Sequence, residues 1–167
     1  MKTINSINQI NQLTKNDFID IFGNVFEKTN WIADKAYNLK PYKSFNELSS
    51  KMIEIYENSK KEDYLKIFNS HPELAIEKTL TEDSQKEQNN SNLNQCTKEE
   101  FNEFLRLNDR YNKKFSFPFI IAVKEKNKKE ILDNFRKRIE NKVELEFEEA
   151  KKQVKKIAKS RLNKIID

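Results

Sequence analysis

Residues 143–166, VELEFEEAKKQVKKIAKSRLNKII, contain neither glycine nor proline and predict one long helix that closes the chain. Arg161 lies four residues after Ile157 and four before Ile165, so it falls on the apolar stripe of this helix. A charge on such a stripe either has a buried partner, because an unpaired buried charge is costly, or it reaches water near the helix end. Both interpretations stay open. The stripe that we predict comprises Phe147, Ala150, Val154, Ile157, Ala158 and Ile165.

The rest of the chain predicts more helices of the same kind. One glycine and three prolines in 167 residues leave few turn signals, which favours an all-α protein over a many-turned β fold. Three polar residues have the spacing of helix N-caps: Thr14 before Asp17, Thr97 before Glu100 and Asn127 before Glu130. Asn30 is a further predicted cap. We expect residues 1–167 to form a single domain, a compact bundle of about eight helices.

Composition narrows the functional classes. The chain is 35% charged but carries 12 Phe and 5 Tyr, enough to build a core rather than stay disordered. Cys96 is the single cysteine, which excludes an internal disulfide and suits a reducing compartment. No apolar run approaches the ~20 residues of a membrane span. Neither end shows a signal peptide or a peroxisomal address, and we expect a cytoplasmic protein without membrane contact.

The net charge of +5 raises the question of nucleic acid. Lysines cluster at residues 124–129 and 151–156, but glutamates are interleaved nearby, as on a solvated helix face. No zinc-ligand spacing or RNA-binding signature accompanies them. We therefore expect no nucleic-acid partner; binding that collapses as salt rises would contradict this.

His71 is the only histidine of the chain and opens the stretch His71-Pro72-Glu73-Leu74-Ala75. Histidine is the side chain that exchanges protons near neutral pH. Pro72 disfavours helical angles at His71, so the imidazole should lie where the helix of residues 61–70 ends. Loop positions held by rigid neighbours often carry chemistry. A single histidine cannot build a usual zinc site, and we expect no metal.

A second polar group follows Thr81, the predicted cap of another helix. Ser84, Glu87 and Gln88 stand at i, i+3 and i+4 and share one face of that helix. The face is either an ordinary solvent surface or a set of donors and acceptors directed at a small polar ligand. Asn108, on an otherwise apolar face, binds either main chain or substrate. Cys96 lies near a helix cap that could stabilise a thiolate, so a Cys–His pair also stays open.

Taken in order, these motifs resemble the family of 2-oxo-4-hydroxy-4-carboxy-5-ureidoimidazoline (OHCU) decarboxylases. Each motif is weak alone, but the ordered set is specific and covers nearly the whole chain. The resemblance rests on residues 22–27 (FGNVFE), 31–33 (WIA), 71–75 (HPELA), 84–88 (SQKEQ), Leu107-Asn108 with Tyr111, 117–123 (FPFIIAV) and Arg161-Leu162.

The resemblance implies an all-α homodimer without metal or organic cofactor, acting on a small ureidoimidazoline. Its reaction would be decarboxylation to (S)-allantoin, the last step of urate oxidation in purine catabolism. The catalytic histidine of the family matches His71. Substrate-contacting residues of the family match Glu87 and Arg161. Our hypothesis is that Glu87 orients His71 or the ureido nitrogens and that Arg161 anchors a substrate oxygen. The remaining substrate contacts match Pro72, Ser84, Gln88, Phe119, Ile120, Ile121, Ala122 and Val123.

The chain departs from the family pattern at three positions. Glycine is usual where this chain has Ile76, Asn90 and Ser116. None of the three positions has a named role. Loss of a glycine alters the conformations open to a loop, and through them it could alter the activity or the choice of substrate. The alternative function is a catalytically inactive helical relative that acts as a binding module.

Overall fold

The computed structural model describes residues 4–75 and 80–166. This part of the chain forms nine α-helices and no strand, which confirms the all-α prediction with one helix more than the approximate count of eight. Among the described residues, no helix is long and apolar enough to cross a membrane. The helices are α1 (Ile7–Gln12), α2 (Lys15–Phe22), α3 (Asn30–Tyr37), α4 (Phe45–Glu57), α5 (Lys61–Asn69), α6 (Glu82–Asn90), α7 (Lys98–Phe115), α8 (Lys128–Arg138) and α9 (Val143–Ile166).

Most predicted helix starts are confirmed. Thr97 and Asn127 each form a complete capping box, and the Thr14 side chain accepts the main-chain N–H of the third helical residue. The prediction for Asn30 is wrong, because Asn30 is the first helical residue of α3 and Thr29 precedes it as N-cap, with no side-chain hydrogen bond that caps the helix. Local capping patterns therefore predicted most of these helix N-termini correctly, but not that of α3.

The chain divides into two compact units. Unit 1 comprises residues 1–70 and 155–167, and unit 2 comprises residues 71–154. Helices α1–α5 and the end of α9 lie in unit 1; helices α6–α8 and the start of α9 lie in unit 2. The single domain over residues 1–167 stays a prediction.

In unit 1, α3 packs against both α2 and α4. Aromatic side chains fill the core: the rings of Phe26 and Tyr56 stack with centroids 4.8 Å apart, and Phe18 meets Phe22 at 4.7 Å. Gly23 is the C-cap residue of α2. A Cβ at this position would lie 2.4 Å from the carbonyl oxygen of Ile19, too close for any side chain without a shift of the main chain.

In unit 2, α7 packs against α8, and the buried ring of Tyr111 stands at the centre of an aromatic cluster. Phe119 stacks on Phe135 with centroids 3.9 Å apart, and Tyr111 meets each of them edge-on. The apolar segment that follows α7 has no regular secondary structure up to Val123, and its residues 117–121 are buried. The core of unit 2 therefore consists partly of irregular main chain.

The buried face of α9 differs in part from the predicted stripe. The middle of the stripe, from Ala150 to Ala158, is confirmed, but Phe147 and Ile165 are only half-buried. Glu146, Gln153 and Leu162 are buried in addition. Two unpredicted polar side chains therefore lie on the inward face.

Candidate active site

His71 lies directly after Ser70, the C-cap residue of α5, as Pro72 predicted. It is 9% exposed, so the imidazole is buried rather than extended into solvent. A buried imidazole contributes to packing as well as to any chemistry.

Three side-chain amides from two helices hold the loop of residues 71–75. Gln88 of α6 accepts the main-chain N–H of Ala75 through Oε1, at 3.1 Å. Asn108 of α7 donates through Nδ2 to the carbonyl oxygen of Leu74 at 3.2 Å. Asn112, one turn further along α7, donates to the Glu73 carboxylate at 2.6 Å. The main chain beside His71 is thus attached to rigid elements.

Ala75 adopts a left-handed conformation with φ of 58°. For a residue with a Cβ, this conformation costs on the order of 1–3 kcal/mol, and such residues cluster at functional sites. The hydrogen bond to Gln88 helps to offset that cost. Ile76, which follows, lies outside the described residues, as do residues 77–79.

The shared face of α6 points inward. Ser84 and Gln88 are 4% and 6% exposed and Glu87 is half-buried, whereas Gln85 and Lys86 are exposed. The solvent-surface interpretation of this face is therefore wrong. Gln88 has a main-chain partner in Ala75 beyond the substrate role implied for it.

Asn108 binds main chain, as one of its two interpretations predicted. Its Nδ2 group is used on the histidine loop, whereas its buried Oδ1 has no hydrogen-bond partner in the described part of the chain. The unexpected feature is that its target is the histidine loop itself.

The segment Phe119–Val123 lies in the same unit and is joined to α6. Ser91, the C-cap residue of α6, is buried and donates through Oγ to the carbonyl oxygen of Val123 at 2.8 Å. Helix α6 therefore connects to the histidine loop through Gln88 and to this segment through Ser91. Unit 2 brings together three stretches that are separate in the sequence.

Arg161 lies in unit 1 and is 4% exposed, so the buried interpretation is right and the solvent interpretation is wrong. Its Nη2 group donates to Oε2 of Glu27 at 2.8 Å, and Nη1 donates to the carbonyl oxygen of Asn24 at 2.8 Å. Glu27 is fully buried. A buried partner was expected from the sequence but was not identified: Glu27 was missed, although residues 22–27 were among the family motifs.

His71 and Glu87 belong to unit 2 and Arg161 to unit 1, so the convergence of the three side chains on one pocket stays a prediction.

Cys96 is half-buried and donates through Sγ to the carbonyl oxygen of Leu93 at 3.3 Å. Burial, reinforced by the charge of Glu100, raises the pKa of the Cys96 thiol, which disfavours the thiolate that its position near a cap suggested. Within residues 4–75 and 80–166, no three His, Cys, Asp or Glu side chains are grouped to hold a metal.

Comparison with known proteins assigns the family. The OHCU decarboxylase family model matches residues 11–163. The uric acid degradation bifunctional protein of Bacillus sp. (strain TB-90) is 40% identical over 95% of the chain, which spans 32% of that protein. The OHCU decarboxylase of Haloferax volcanii is 32% identical, and the match covers 94% of each chain. The chain thus spans about a third of the bifunctional relatives but nearly all of the shorter ones.

Solved structures share the fold. The crystal structure of (S)-allantoin synthase superposes with a TM-score of 0.79 at 24% identity, over 98% of this chain and 54% of that one. The crystal structure of OHCU decarboxylase in the presence of (S)-allantoin gives a TM-score of 0.70 at 23% identity, over 89% of this chain and 96% of that one. With the family model matched across residues 11–163, the chain belongs to the OHCU decarboxylase family.

Proposed function

We propose that the chain is a carboxy-lyase that converts OHCU to (S)-allantoin, the last step of urate oxidation. The observation that carries the proposal is the family match over residues 11–163, together with a named decarboxylase of which the chain covers 94%. One crystal structure with the same fold was obtained in the presence of (S)-allantoin, the product of the proposed reaction.

The reaction has three requirements. The substrate carboxylate is held so that its breaking C–C bond aligns with the ring carbonyl. The electrons left by departing carbon dioxide pass into that carbonyl, which serves as an enolate-like sink without a cofactor. A proton then reaches the resulting carbon from one face only, which sets the stereochemistry.

His71 is the proposed proton donor. Its support is a buried position at the end of α5, beside a loop that Gln88, Asn108 and Asn112 hold in place. A positioned acid or base contributes roughly 10²–10⁴-fold to a rate. Glu87, half-buried on the inward face of α6, would orient His71 or the ureido nitrogens of the substrate.

Arg161 is the proposed anchor for an anionic or carbonyl oxygen. Its bonds to Glu27 and Asn24 support this, because they hold the guanidinium in one orientation. A fixed planar fork suits the recognition of carboxylate or ureido groups by two parallel hydrogen bonds. Electrostatic stabilisation of the charge that develops on the ring would be the larger share of catalysis.

The direct test adds purified protein to freshly generated OHCU and follows the appearance of (S)-allantoin by circular dichroism. We expect faster formation than in buffer and a loss of at least about 10²-fold in His71→Gln. Glutamine keeps a buried polar group of similar size, so the helical signal and unfolding temperature should stay near those of the parent. Glu99→Gln, at an exposed position of α7, serves as control. Substrate decay no faster than in buffer would favour the inactive binding module instead.

The proposal includes a homodimer in the cytoplasm that needs no cofactor and binds neither nucleic acid nor membrane. A mass in solution of twice the 20.0 kDa chain would support the dimer, and activity that survives a chelator would support the absence of a metal.

A further inference from the structure

Residues 119–121 and Val123 are buried and Ala122 is half-buried, although none of them belongs to a helix or strand. Phe119, Ile120 and Ile121 are 1%, 2% and 4% exposed. Buried main-chain N–H and C=O groups that lack a regular hydrogen-bond ladder need other partners, because leaving them unpaired costs stability. The partners of this segment therefore determine where it lies.

Three buried side chains supply such partners. Arg138, the last residue of α8, donates through Nη1 to the carbonyl oxygen of Ile120 at 2.8 Å. Gln153 of α9 accepts the N–H of Ala122 through Oε1 at 2.9 Å. Ser91 donates to the carbonyl oxygen of Val123 at 2.8 Å. The segment is held from α6, α8 and α9 at once.

Arg138 is itself held rigidly. Its Nε and Nη2 groups donate to Oε1 of the fully buried Glu146 at 2.9 and 2.6 Å. Its guanidinium carbon lies 4.4 Å from the ring centroid of Phe119, within cation–π range. The Ile120 carbonyl therefore meets a donor of fixed direction.

Gln153 is fixed from its other end. Its Nε2 group donates to Oε1 of Glu149, one turn earlier on α9, at 2.8 Å. A carboxylate only accepts and the Ala122 N–H only donates, so the amide has one orientation that satisfies both. Its oxygen then faces Ala122.

We propose that Gln153 is a positioning residue for the decarboxylation: by accepting the Ala122 N–H it sets where the main chain of residues 120–123 meets the substrate ring. The inference rests on the proposed function, in which this segment binds the ring. A main chain that binds substrate must be placed precisely, since a hydrogen bond weakens steeply as its distance and angle depart from the optimum. Gln153 touches no proposed proton-transfer group and acts through Ala122.

The test replaces Gln153 by methionine, which keeps the length of the side chain but cannot accept the Ala122 N–H well. We expect KM to rise about tenfold, the effect of one lost hydrogen bond, while kcat stays within about threefold because His71 and Glu87 are untouched. Amide hydrogen exchange at Ala122, measured by NMR without substrate, should accelerate. Lys152 is an exposed neighbour of Gln153 on α9, and Lys152→Met should change neither KM nor the hydrogen exchange at Ala122.

The rescue variant is Glu149→Gln/Gln153→Glu, which exchanges the two groups. Residue 153 then still accepts the Ala122 N–H and residue 149 becomes the donor, so KM should return to near the parent value. If Gln153→Met does not fold, Gln153→Asn, which keeps the amide but is one methylene shorter and should not reach the Ala122 N–H, should raise KM in the same way. An active parent whose Met or Asn variant keeps its KM, or a folded rescue variant with KM raised tenfold, would overturn the inference alone. A parent without decarboxylase activity would overturn the proposed function first, whatever the exchange at Ala122.

Discussion

A buried arginine–glutamate pair lies in each compact unit, and the two pairs differ in the sequence separation of their partners. Arg161 and Glu27 of unit 1 are 134 residues apart in sequence, whereas Arg138 and Glu146 of unit 2 are eight apart. In both, the arginine also donates to a main-chain carbonyl oxygen at 2.8 Å, that of Asn24 in unit 1 and that of Ile120 in unit 2. The same arrangement, an arginine bonded to a glutamate and to a main-chain carbonyl oxygen, therefore joins residues that are close in sequence in unit 2 and far apart in unit 1.

The difference shows what each pair can report. The pair in unit 2 joins the end of α8 to the start of α9, so a short piece of chain can form it. The pair in unit 1 forms only when the segment after α2 meets the end of the last helix. Burial and pairing alone do not reveal a substrate role: Arg161 is a proposed substrate anchor, and Arg138 a proposed holder of main chain.

The largest expected effect on this comparison is that of Glu146→Met. Oε1 of Glu146 accepts from Arg138 and, at 2.6 Å, from the hydroxyl of Tyr111, and Oε2 accepts from Asn141. Removing the carboxylate leaves a buried guanidinium unpaired, which costs on the order of 3–5 kcal/mol, and takes an acceptor from two further groups. Urea unfolding should show this loss, whereas Glu148→Met, at an exposed position of α9, should change stability little.

A loss below about 1 kcal/mol for Glu146→Met would mean that water replaces the carboxylate, and the pair would not be buried in the sense argued above.

The pair in unit 1 allows a sharper test, a double-mutant cycle. Arg161→Met leaves Glu27 buried without this partner, so we expect the free energy of unfolding to fall by up to about 3–5 kcal/mol. Glu27→Leu/Arg161→Met replaces both charges with apolar groups, a change that is often neutral, so most of the stability should return. If Arg161 anchors the substrate oxygen as proposed, decarboxylation should be lost in both variants.

A stable double variant with the kcat/KM of the parent would show that the pair is structural and that the anchoring role of Arg161 is wrong. The cycle therefore separates two reasons for which the single variant would lose activity.

The predictions that depended on neighbouring residues were largely right. The bounds of α9 and the caps at Thr97 and Asn127 follow from spacing within a turn or two, where capping and periodicity act. Arg161 was singled out because a charge on an apolar stripe violates that same local pattern. Glu146 satisfied the same criterion but was missed, because positions 146 and 147 both align with Ala150 at helical spacing and the apolar Phe147 was chosen.

Long-range partners could not be obtained in this way. Glu27 lies 134 residues from Arg161, and no local rule joins the two. The attachment of the histidine loop to Asn108 and Asn112 is likewise a tertiary feature, since 34 and 39 residues separate the bonded groups. The family resemblance supplied the candidate site residues, but the side chains that hold them in place are visible only in the fold.

The smallest expected effect concerns Ser116, which precedes the segment that Arg138 and Gln153 hold. Ser116 ends α7 in the left-handed conformation, with φ of 64° and ψ of 22°. A Cβ in this conformation costs about 1–2 kcal/mol, part of which glycine returns as greater freedom of the unfolded chain. Ser116→Gly, which introduces the usual family residue, should therefore stabilise the protein by at most about 1 kcal/mol.

Asn90 is the other described position at which the family usually has glycine. It is helical in α6, so Asn90→Gly should not stabilise the protein. Thermal unfolding of both variants distinguishes the two outcomes. Equal stabilisation would mean that the left-handed backbone is not the reason for glycine at this position. Stabilisation of Ser116→Gly alone would mean that the chain carries this strain just before the segment held by the Arg138–Glu146 pair.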